Sequence, residues 1–543
     1  MGELYDVGTG ERRAFWADAV ADEIEARSPE EPIVIKGGVS PSGVPHLGHV
    51  NEIMRGYFVA EALRDRGREV EQVFTADDRD RLRKLPRTLA DLEWNLVGLG
   101  DIDAGALGRN LGRPYTDVPD PFGCCDSYGA HFTELLRRSA EAIGVPIEIV
   151  SNTEQYRSGG FDDAIERALR DRETAREVLG SFQEKVDDEY VPFLPQCSEC
   201  GHLTETVTGV DLEARTVEYV CADVTAGDEV IEGCGHDGTA TFREGKLPWR
   251  FEWPAQWSAL GVDFEPFGKD HAEGSWPSGT AIAREVFGFE PPVPMVYEWF
   301  TLDGDALSSS AGNLITVEEV LELLEPEVLR YFFTKPPKKQ RDFSVADLDR
   351  LVDEFDRFER VYFGEEDADD AETELAERAY PMVADRTERP VRIPYTFAAV
   401  LGMTDDRDLR VQMAERSGHL PPEATAAETD AALERVRKAR AWAVRTDNAF
   451  NYRLAEALPE TDFDGRTREA LDELAGFIER DSPGEAALQE EIYETAKRHD
   501  VAVGEFFEAG YRLFLDEPDG PRLGPFLAAM DEAFVVDRLR RER

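Results

Sequence analysis

A short apolar run, a Gly/Pro/Ser-rich loop and a helical pattern follow one another near the N-terminus, and this order constrains the chain more than any other stretch. Pro32, Ile33, Val34 and Ile35 predict a buried strand. From Val50 to Arg64, apolar Ile53, Met54, Tyr57, Phe58 and Leu63 recur at helical spacing. Glu69 to Ala76 predicts a second strand, followed by the acidic pair Asp77 and Asp78. Strand, helix, strand begins a doubly wound parallel sheet, an α/β fold of Rossmann type in which ligands sit beyond the carboxyl ends of the strands. The loop Val39 to His49 and the Asp77 pair both fall there.

That loop carries His46 and His49, three residues apart and so on one face of the first helical turn. Gly48 between them leaves a bare backbone patch against which a flat ring can lie. A helix N-terminus favours negative charge. Two imidazoles, a bare patch and a helix dipole suit the phosphates and adenine of a nucleotide. The plain alternative is a pair of polar residues at a helix start.

Charge excludes less than it first suggests. Asp and Glu number 113 against 61 Lys and Arg, a formal net charge of -52. The acid is spread through segments with clear apolar periodicity, alongside 30 Phe and eight Trp, so the chain is folded rather than a repelling coil. This composition fits a protein adapted to very high salt, as in haloarchaeal cytoplasm. In molar salt the Debye length is about 3 Å, so net charge says little about a nucleic-acid partner. No 18-residue apolar run and no signal peptide is found, and a cytoplasmic protein without a membrane partner is expected.

Of six cysteines, four are spaced as metal ligands: Cys197 and Cys200 on a Cys-x-x-Cys turn, then Cys221 and Cys234 beyond a hairpin pattern. His202 and His236 are possible substitute ligands. The expected metal is structural Zn2+, because a small hairpin module lacks the area to fold alone. Cys124 and Cys125 have no partner pair in the sequence and are read as structural. From about residue 87 to about 245 the strand–helix alternation is interrupted.

The alternation resumes at Trp249, Phe251, Trp253 and Trp257, a dense aromatic stretch. Lys269, Asp270 and His271 then share a turn. Val293 to Phe300 predicts a buried strand with Glu298 inside it, an acid needing either a cationic ligand or an internal partner. Ser308, Ser309, Ser310, Gly312 and Asn313 form a loop rich in polyphosphate donors. From Val317 onward the pattern is helical, with basic clusters at Lys335 to Arg341 and Arg435 to Arg440 as candidate phosphate contacts.

Taken together, the stretches Pro41 to His49, Asp77 to Pro86, Trp249 to Pro254, Phe264 to His271 and Tyr297 to Asn313 resemble the class I aminoacyl-tRNA synthetases, and most closely the archaeal-type class I lysyl-tRNA synthetase family. The match spans roughly residues 30–345. The helical part resembles the anticodon-binding domain of the glutamyl relatives in class only.

The resemblance implies a catalytic domain in two halves, 1–105 and 245–315, around a connective insertion at 106–244 whose zinc module covers 195–236. A helical stem-contact domain at 316–395 and an anticodon-binding domain at 396–543 would follow. It implies activation of lysine by ATP with Mg2+, then transfer to the 2′-OH of the terminal adenosine of tRNA(Lys), by a monomer. His46 and His49 would stabilise the transition state at the α-phosphate. Pro41, Gly48, Ser308, Ser309, Ser310, Gly312 and Asn313 would hold ATP. Gly38, Ser40, Asp77, Trp249, His271, Tyr297 and Glu298 would form the lysine pocket, with Glu298 or Asp77 pairing the ammonium. The family's signature loop carries two lysines where this chain has Ala306 and Ala311. Backbone N–H groups, the serines, Mg2+ and Lys269 are the candidate replacements. The competing readings are a glutamyl- or arginyl-type synthetase and a non-catalytic tRNA-binding paralogue.

Overall fold

The computed structural model describes residues 13–183, 186–226, 229–307 and 313–542. The chain divides into two compact units. The first comprises residues 1–319, 329–343 and 377–383, the second 320–328, 344–376 and 384–543.

The first unit opens with helix α1 (Trp16–Ala26), strand β1 (Ile33–Val39), helix α2 (Leu47–Arg64) and strand β2 (Val70–Ala76). Helix α3 (Tyr128–Ala142) leads to strand β3 (Glu148–Ser151). Helix α4 (Trp249–Leu260), strand β4 (Val262–Gly268) and strand β5 (Val293–Tyr297) complete the core. The five strands pair in parallel in the order β5-β4-β1-β2-β3. The chain builds outward from β1 through β2 to β3, then crosses back to lay β4 on β1's other edge. That reversal is a topological switch point, and the crevice for a ligand lies at the carboxyl ends of β1 and β4.

The burial of β1 explains its sequence. Ile33 through Gly37 are all buried, as expected for a parallel strand covered on both faces. Helix α2 is buried around most of its circumference, including Arg55, which donates to the Phe333 carbonyl at 2.7 Å and to Asn51 Oδ1 at 3.0 Å.

One expectation needs correction. Strand β3 comes from inside the stretch 87–245 in which the alternation was expected to lapse, so that stretch is not foreign to the sheet throughout. Glu148-Ile-Val-Ser151 is only four residues long and sits at the sheet edge, too short and polar to show in the periodicity.

Between β3 and α4 the chain forms a separate antiparallel sheet of Thr206–Asp211, Thr216–Val220 and Asp237–Thr241. Its Val217, Tyr219 and Ala240 are buried with Cys197 and Cys221 in one apolar cluster.

The second unit is helical and is organised around buried ion pairs. Arg435 is 2% exposed; its Nε donates to Glu325 at 2.6 Å, and its two terminal nitrogens to Asp356 at 2.7 and 3.0 Å. Arg392 donates to Glu359 at 3.0 and 3.1 Å and to Glu327 at 3.0 Å. The basic run at Arg435 to Arg440 is therefore not a free phosphate surface. Arg437 pairs with Glu434, Lys438 donates to the Leu321 carbonyl, and Arg440 to the Tyr452 carbonyl at 3.1 Å.

Candidate active site

Four strands deliver their following residues to one crevice. β1 runs into the loop from Ser40 to His46, β2 into Asp77, β4 into Lys269 to His271, and β5 ends on Tyr297. They open on a cavity of about 1370 Å³. Its wall includes Gly38, Ser40, Pro41, His46, Gly48, His49, Asp77, Trp249, His271 and Tyr297, so most of the residues singled out from the sequence meet there.

The two histidines are held by the helix they begin. His46 is the N-cap of α2; its Nδ1 accepts the Gly48 N–H at 3.0 Å, and its own N–H donates to His49 Nδ1 at 3.0 Å. The ring centroids are 4.2 Å apart. Each Nδ1 accepts a backbone hydrogen, so the neutral rings carry their proton on Nε2. Burial, reinforced for His46 by its neighbour, lowers His46 well below the ordinary imidazole range, and burial draws His49 down to about 4. Both are thus neutral N–H donors at neutral pH. A Cβ on Gly48 would lie 2.7 Å from His46 Cε1, so glycine here makes room for the imidazole itself. The Leu47 N–H donates to the Ile315 carbonyl at 3.0 Å, tying the helix start to the chain beyond the serine loop.

Ser308, Ser309, Ser310, Ala311 and Gly312 lie outside the described residues. At the edges of that loop, Asn313 Nδ2 donates to the Ala306 carbonyl at 2.9 Å, and Ala306, Leu307 and Leu314 line the cavity.

The acidic side of the cavity differs from expectation. Strand β5 stops at Tyr297, so Glu298 falls outside the strand, and its carboxylate lies 2.6 Å from Lys269 Nζ. Lys269 also sits 4.9 Å over the Trp299 ring. Neither Glu298 nor Lys269 forms part of the cavity wall. Lys269 is thus an internal ion-pair partner of Glu298, although Glu298 Oε2 accepts no hydrogen bond.

Asp77 does face the cavity. It is 6% exposed, and its Oδ1 accepts from Asn152 Nδ2 at 2.8 Å and Gln256 Nε2 at 2.9 Å. Burial, with Glu252 and Asp80 nearby, raises it well above the carboxylate range. Lys246 pairs with Asp80 and, at 2.9 Å, with Glu252.

Sequence reading missed Glu52. It lies one turn along α2 from His49 and faces the same cavity. Its Oε1 accepts the Gly38 N–H at 2.7 Å and its Oε2 accepts the Tyr297 hydroxyl at 2.8 Å. Burial lifts its pKa to about 7. A Cβ on Gly38 would meet Thr75 Oγ1 at 2.5 Å, so glycine lets β1 and β2 close at this point. The helical period of α2 could have flagged Glu52, because it shares a face with buried Val59 and Leu63. Among the described residues, neither Glu52 nor Asp77 forms an ion pair with a cation of the chain, whereas the adjacent Glu265 pairs with Lys36 at 2.7 Å.

Aromatic rings close another side. Trp249 stacks on Trp253 at 5.4 Å, and His271 lies 6.0 Å from Trp249. Arg83, Lys84 and Arg87 also line the cavity, three cations to which sequence reading assigned no role.

In the antiparallel module, the sulfurs of Cys197, Cys200, Cys221 and Cys234 all lie within 4.8 Å of one another. Cys197 and Cys234 are 3.6 Å apart, Cys200 and Cys221 3.5 Å. Four thiolates at these separations suit tetrahedral Zn2+. His236 instead lies 3.2 Å from Ser198 Oγ, so Cys234 supplies the fourth sulfur.

The family model described as tRNA synthetases class I (K) matches residues 14–385. A protein of Natronomonas pharaonis named lysine–tRNA ligase is 77% identical, over 100% of both chains. One of the same name from Haloarcula marismortui is 67% identical over 99% of each. Another from Pyrococcus horikoshii is 33% identical over 97% of this chain and 99% of its own. With paired imidazoles at the switch point of a parallel sheet, and matches that run the length of the chain, this protein belongs to the class I tRNA synthetases of the K family.

Proposed function

We propose that this chain is a lysine–tRNA ligase, activating lysine with ATP and passing it to the 2′-OH of the terminal adenosine of tRNA(Lys). One observation carries the substrate choice. Two carboxyls, buried Asp77 and half-buried Glu52, face the cavity of the histidine pair and form no ion pair with a cation among the described residues. Free lysine brings two ammonium groups, and the stacked Trp249 with His271 offers a wall for its methylenes. Glutamate would add carboxylate to an already acidic wall.

In this reading, the Nε2–H groups of His46 and His49 donate to the α-phosphate as the lysine carboxylate attacks and pyrophosphate leaves. The acceleration comes from placement and preorganised donors. Neutral rings suit this, because they hold no proton the reaction must remove. Mg2+ would arrive on the triphosphate and share its charge. The exposed Arg83, Lys84 and Arg87 are the cations we assign to the charge that lysines at positions 306 and 311 would otherwise meet. Lys269 is less suited, since Glu298 already neutralises it. Pro41, Gly48 and the serine loop through Asn313 would seat ATP. Zn2+ on the four cysteines would hold the antiparallel module together, without touching the reaction. Residues 316–395 and 396–543 would meet the tRNA stem and anticodon. No helix among the described residues is long and apolar enough to cross a membrane.

The test is ATP–pyrophosphate exchange in molar KCl with a panel of amino acids, followed by charging of tRNA(Lys). Lysine supports exchange, while glutamate and arginine do not. Exchange with arginine or glutamate instead of lysine would reassign the substrate. No exchange with any amino acid, together with retained tRNA binding, would make the chain a non-catalytic paralogue.

A further inference from the structure

Next to Asp77 lies a buried cluster of charges that the reaction described above does not use. Lys246 is 2% exposed and pairs with two carboxylates, Asp80 and, at 2.9 Å, Glu252. Glu252 belongs to α4 and is fully buried; its Oε2 accepts the Tyr156 hydroxyl at 2.5 Å. Asn152 joins this cluster to the cavity wall. Its Nδ2 donates to Asp77 Oδ1 at 2.8 Å and to Glu252 Oε1 at 3.3 Å. Gln256 Nε2 donates to the same Asp77 oxygen at 2.9 Å. Both amides hold Oδ1, which leaves Oδ2 for a ligand. Asp77 and Asp80 line the cavity, whereas Lys246, Glu252 and Asn152 do not.

Three carboxyls, Asp77, Asp80 and Glu252, share the one ammonium of Lys246. The charged groups that act on Asp77 are Glu252 on α4, Asp80 in its own loop, Lys36 on β1 and Lys246 on the short strand Gly245–Lys246. Lys36 is committed to Glu265 at 2.7 Å. Asp78 turns away, accepting from Ser151 Oγ at 2.5 Å and the Thr153 N–H at 2.8 Å. In a buried site, like charges oppose ionisation and a cation favours it. Burial, Glu252 and Asp80 push Asp77 up, and Lys36 and Lys246 pull it back. Although burial opposes it, Asp80 and Glu252 hold Lys246 above its ordinary range, so it stays charged at neutral pH. Its backbone is fixed as well. Gly245–Lys246 pairs antiparallel with Leu194–Pro195, and Arg79 Nε donates to the Gly245 carbonyl at 3.0 Å.

We propose that Lys246 is a positioning residue for substrate lysine: without touching the substrate, it offsets Glu252 and Asp80 and so lets Asp77 meet an incoming ammonium as a carboxylate. The inference rests on the lysine-activating role proposed above. An ionised carboxylate binds an ammonium more strongly than a protonated carboxyl does, because both partners are then charged. Lys246 also keeps Glu252 Oε1 an acceptor, and that acceptor orients the Asn152 amide toward Asp77.

Pyrophosphate exchange in molar KCl tests this, since buried pairs are little screened by salt. Lys246→Met should raise the KM for lysine about tenfold near pH 7, with kcat and the KM for ATP little changed. The loss should shrink as pH rises from about 6 to about 8.5, because Asp77 then ionises unaided. A residue that only shaped the site would lose the same factor at every pH. Glu252→Gln keeps the shape and removes one negative charge, so its KM for lysine should stay low to a pH about one unit below that of the unaltered protein. The double variant, Lys246→Met with Glu252→Gln, restores the original excess of carboxylates and should recover most of the loss. Should Lys246→Met not fold, Glu252→Gln decides: a profile moved to lower pH supports the role, and an unmoved one overturns it. A KM for lysine unchanged in Lys246→Met, or raised by one factor at all pH values and not recovered in the double variant, overturns the role while leaving the proposed activity standing. An unaltered protein that shows no exchange with lysine overturns that activity and this inference with it.

Discussion

Both units bury carboxylates, and they treat them in opposite ways. In the helical unit, Glu325, Glu327, Asp356 and Glu359 meet Arg392 and Arg435 through hydrogen-bonded ion pairs. Although burial opposes it, Arg392 and a backbone N–H hold Glu327 at about 2, and Arg435 and Arg392 lower Glu325 in the same way. In the catalytic unit, burial raises Asp77 well above its ordinary value and brings Glu52 to about 7. One set is complete within the chain. In the other, Asp77 and Glu52 accept hydrogen bonds but, among the described residues, form no ion pair. A matched network holds a structure in one arrangement, and the unmatched pair at the cavity wall is where we propose the cationic substrate binds.

The comparison can be broken from either side. Arg435→Met should have the largest effect, lowering unfolding stability by about 3–5 kcal/mol, because it leaves Asp356 buried and unpaired and Glu325 with only the longer contact to Arg392. Denaturant titration in molar KCl measures it. A small change would mean that the network is not what holds the helical unit.

The pH dependence comes next, with opposite signs in the two units. Glu52 is held near 7 against an ordinary 4.5, so the folded chain keeps a proton that the unfolded chain releases. Its contribution is complete below about pH 4.5 and is lost as pH rises through about 7, a change of about 3 kcal/mol. Glu327, held near 2, contributes above pH 4.5, and that contribution is lost as pH falls through about 2, again by about 3 kcal/mol. Glu52→Gln should flatten the first slope and Glu327→Gln the second. Unfolding free energies measured across pH for both variants check the assignment.

Asp77→Asn keeps the shape and removes the charge. Losing a charged partner worth about 1.5–3 kcal/mol should reduce kcat/KM for lysine about 10- to 150-fold, with the KM for ATP unchanged. An equal loss for ATP and lysine would place Asp77 outside the lysine pocket. The smallest effect is expected at Gly48→Ala. Its methyl group would displace the His46 ring and misplace one phosphate donor, costing about tenfold in pyrophosphate exchange.

Much of the site was legible because it is local. His46, Gly48 and His49 lie within one helical turn, so spacing alone puts them together, and capping hydrogen bonds finish the geometry. Asp77, His271 and Tyr297 were legible through the rule that strand ends carry ligands. The placement of Glu298 beyond the strand was not legible, because the apolar run continues past Tyr297 while β5 ends there and the Glu298 carboxylate meets Lys269. Glu52 was missed because nothing in its own turn of helix marks it. Its meaning comes from Gly38 and Tyr297, 14 and 245 residues away.

The sequence by itself determined the parallel α/β plan, the paired imidazoles at a helix start and the grouping of Cys197, Cys200, Cys221 and Cys234, because periodicity and short spacings are properties of neighbouring residues. Only the tertiary structure decided which carboxylates form ion pairs within the chain, and that Glu52 meets Gly38 and Tyr297 at the cavity wall. Ion pairing and the contacts of Glu52 depend on distances through space, and the fold sets those by bringing together side chains that the sequence keeps far apart.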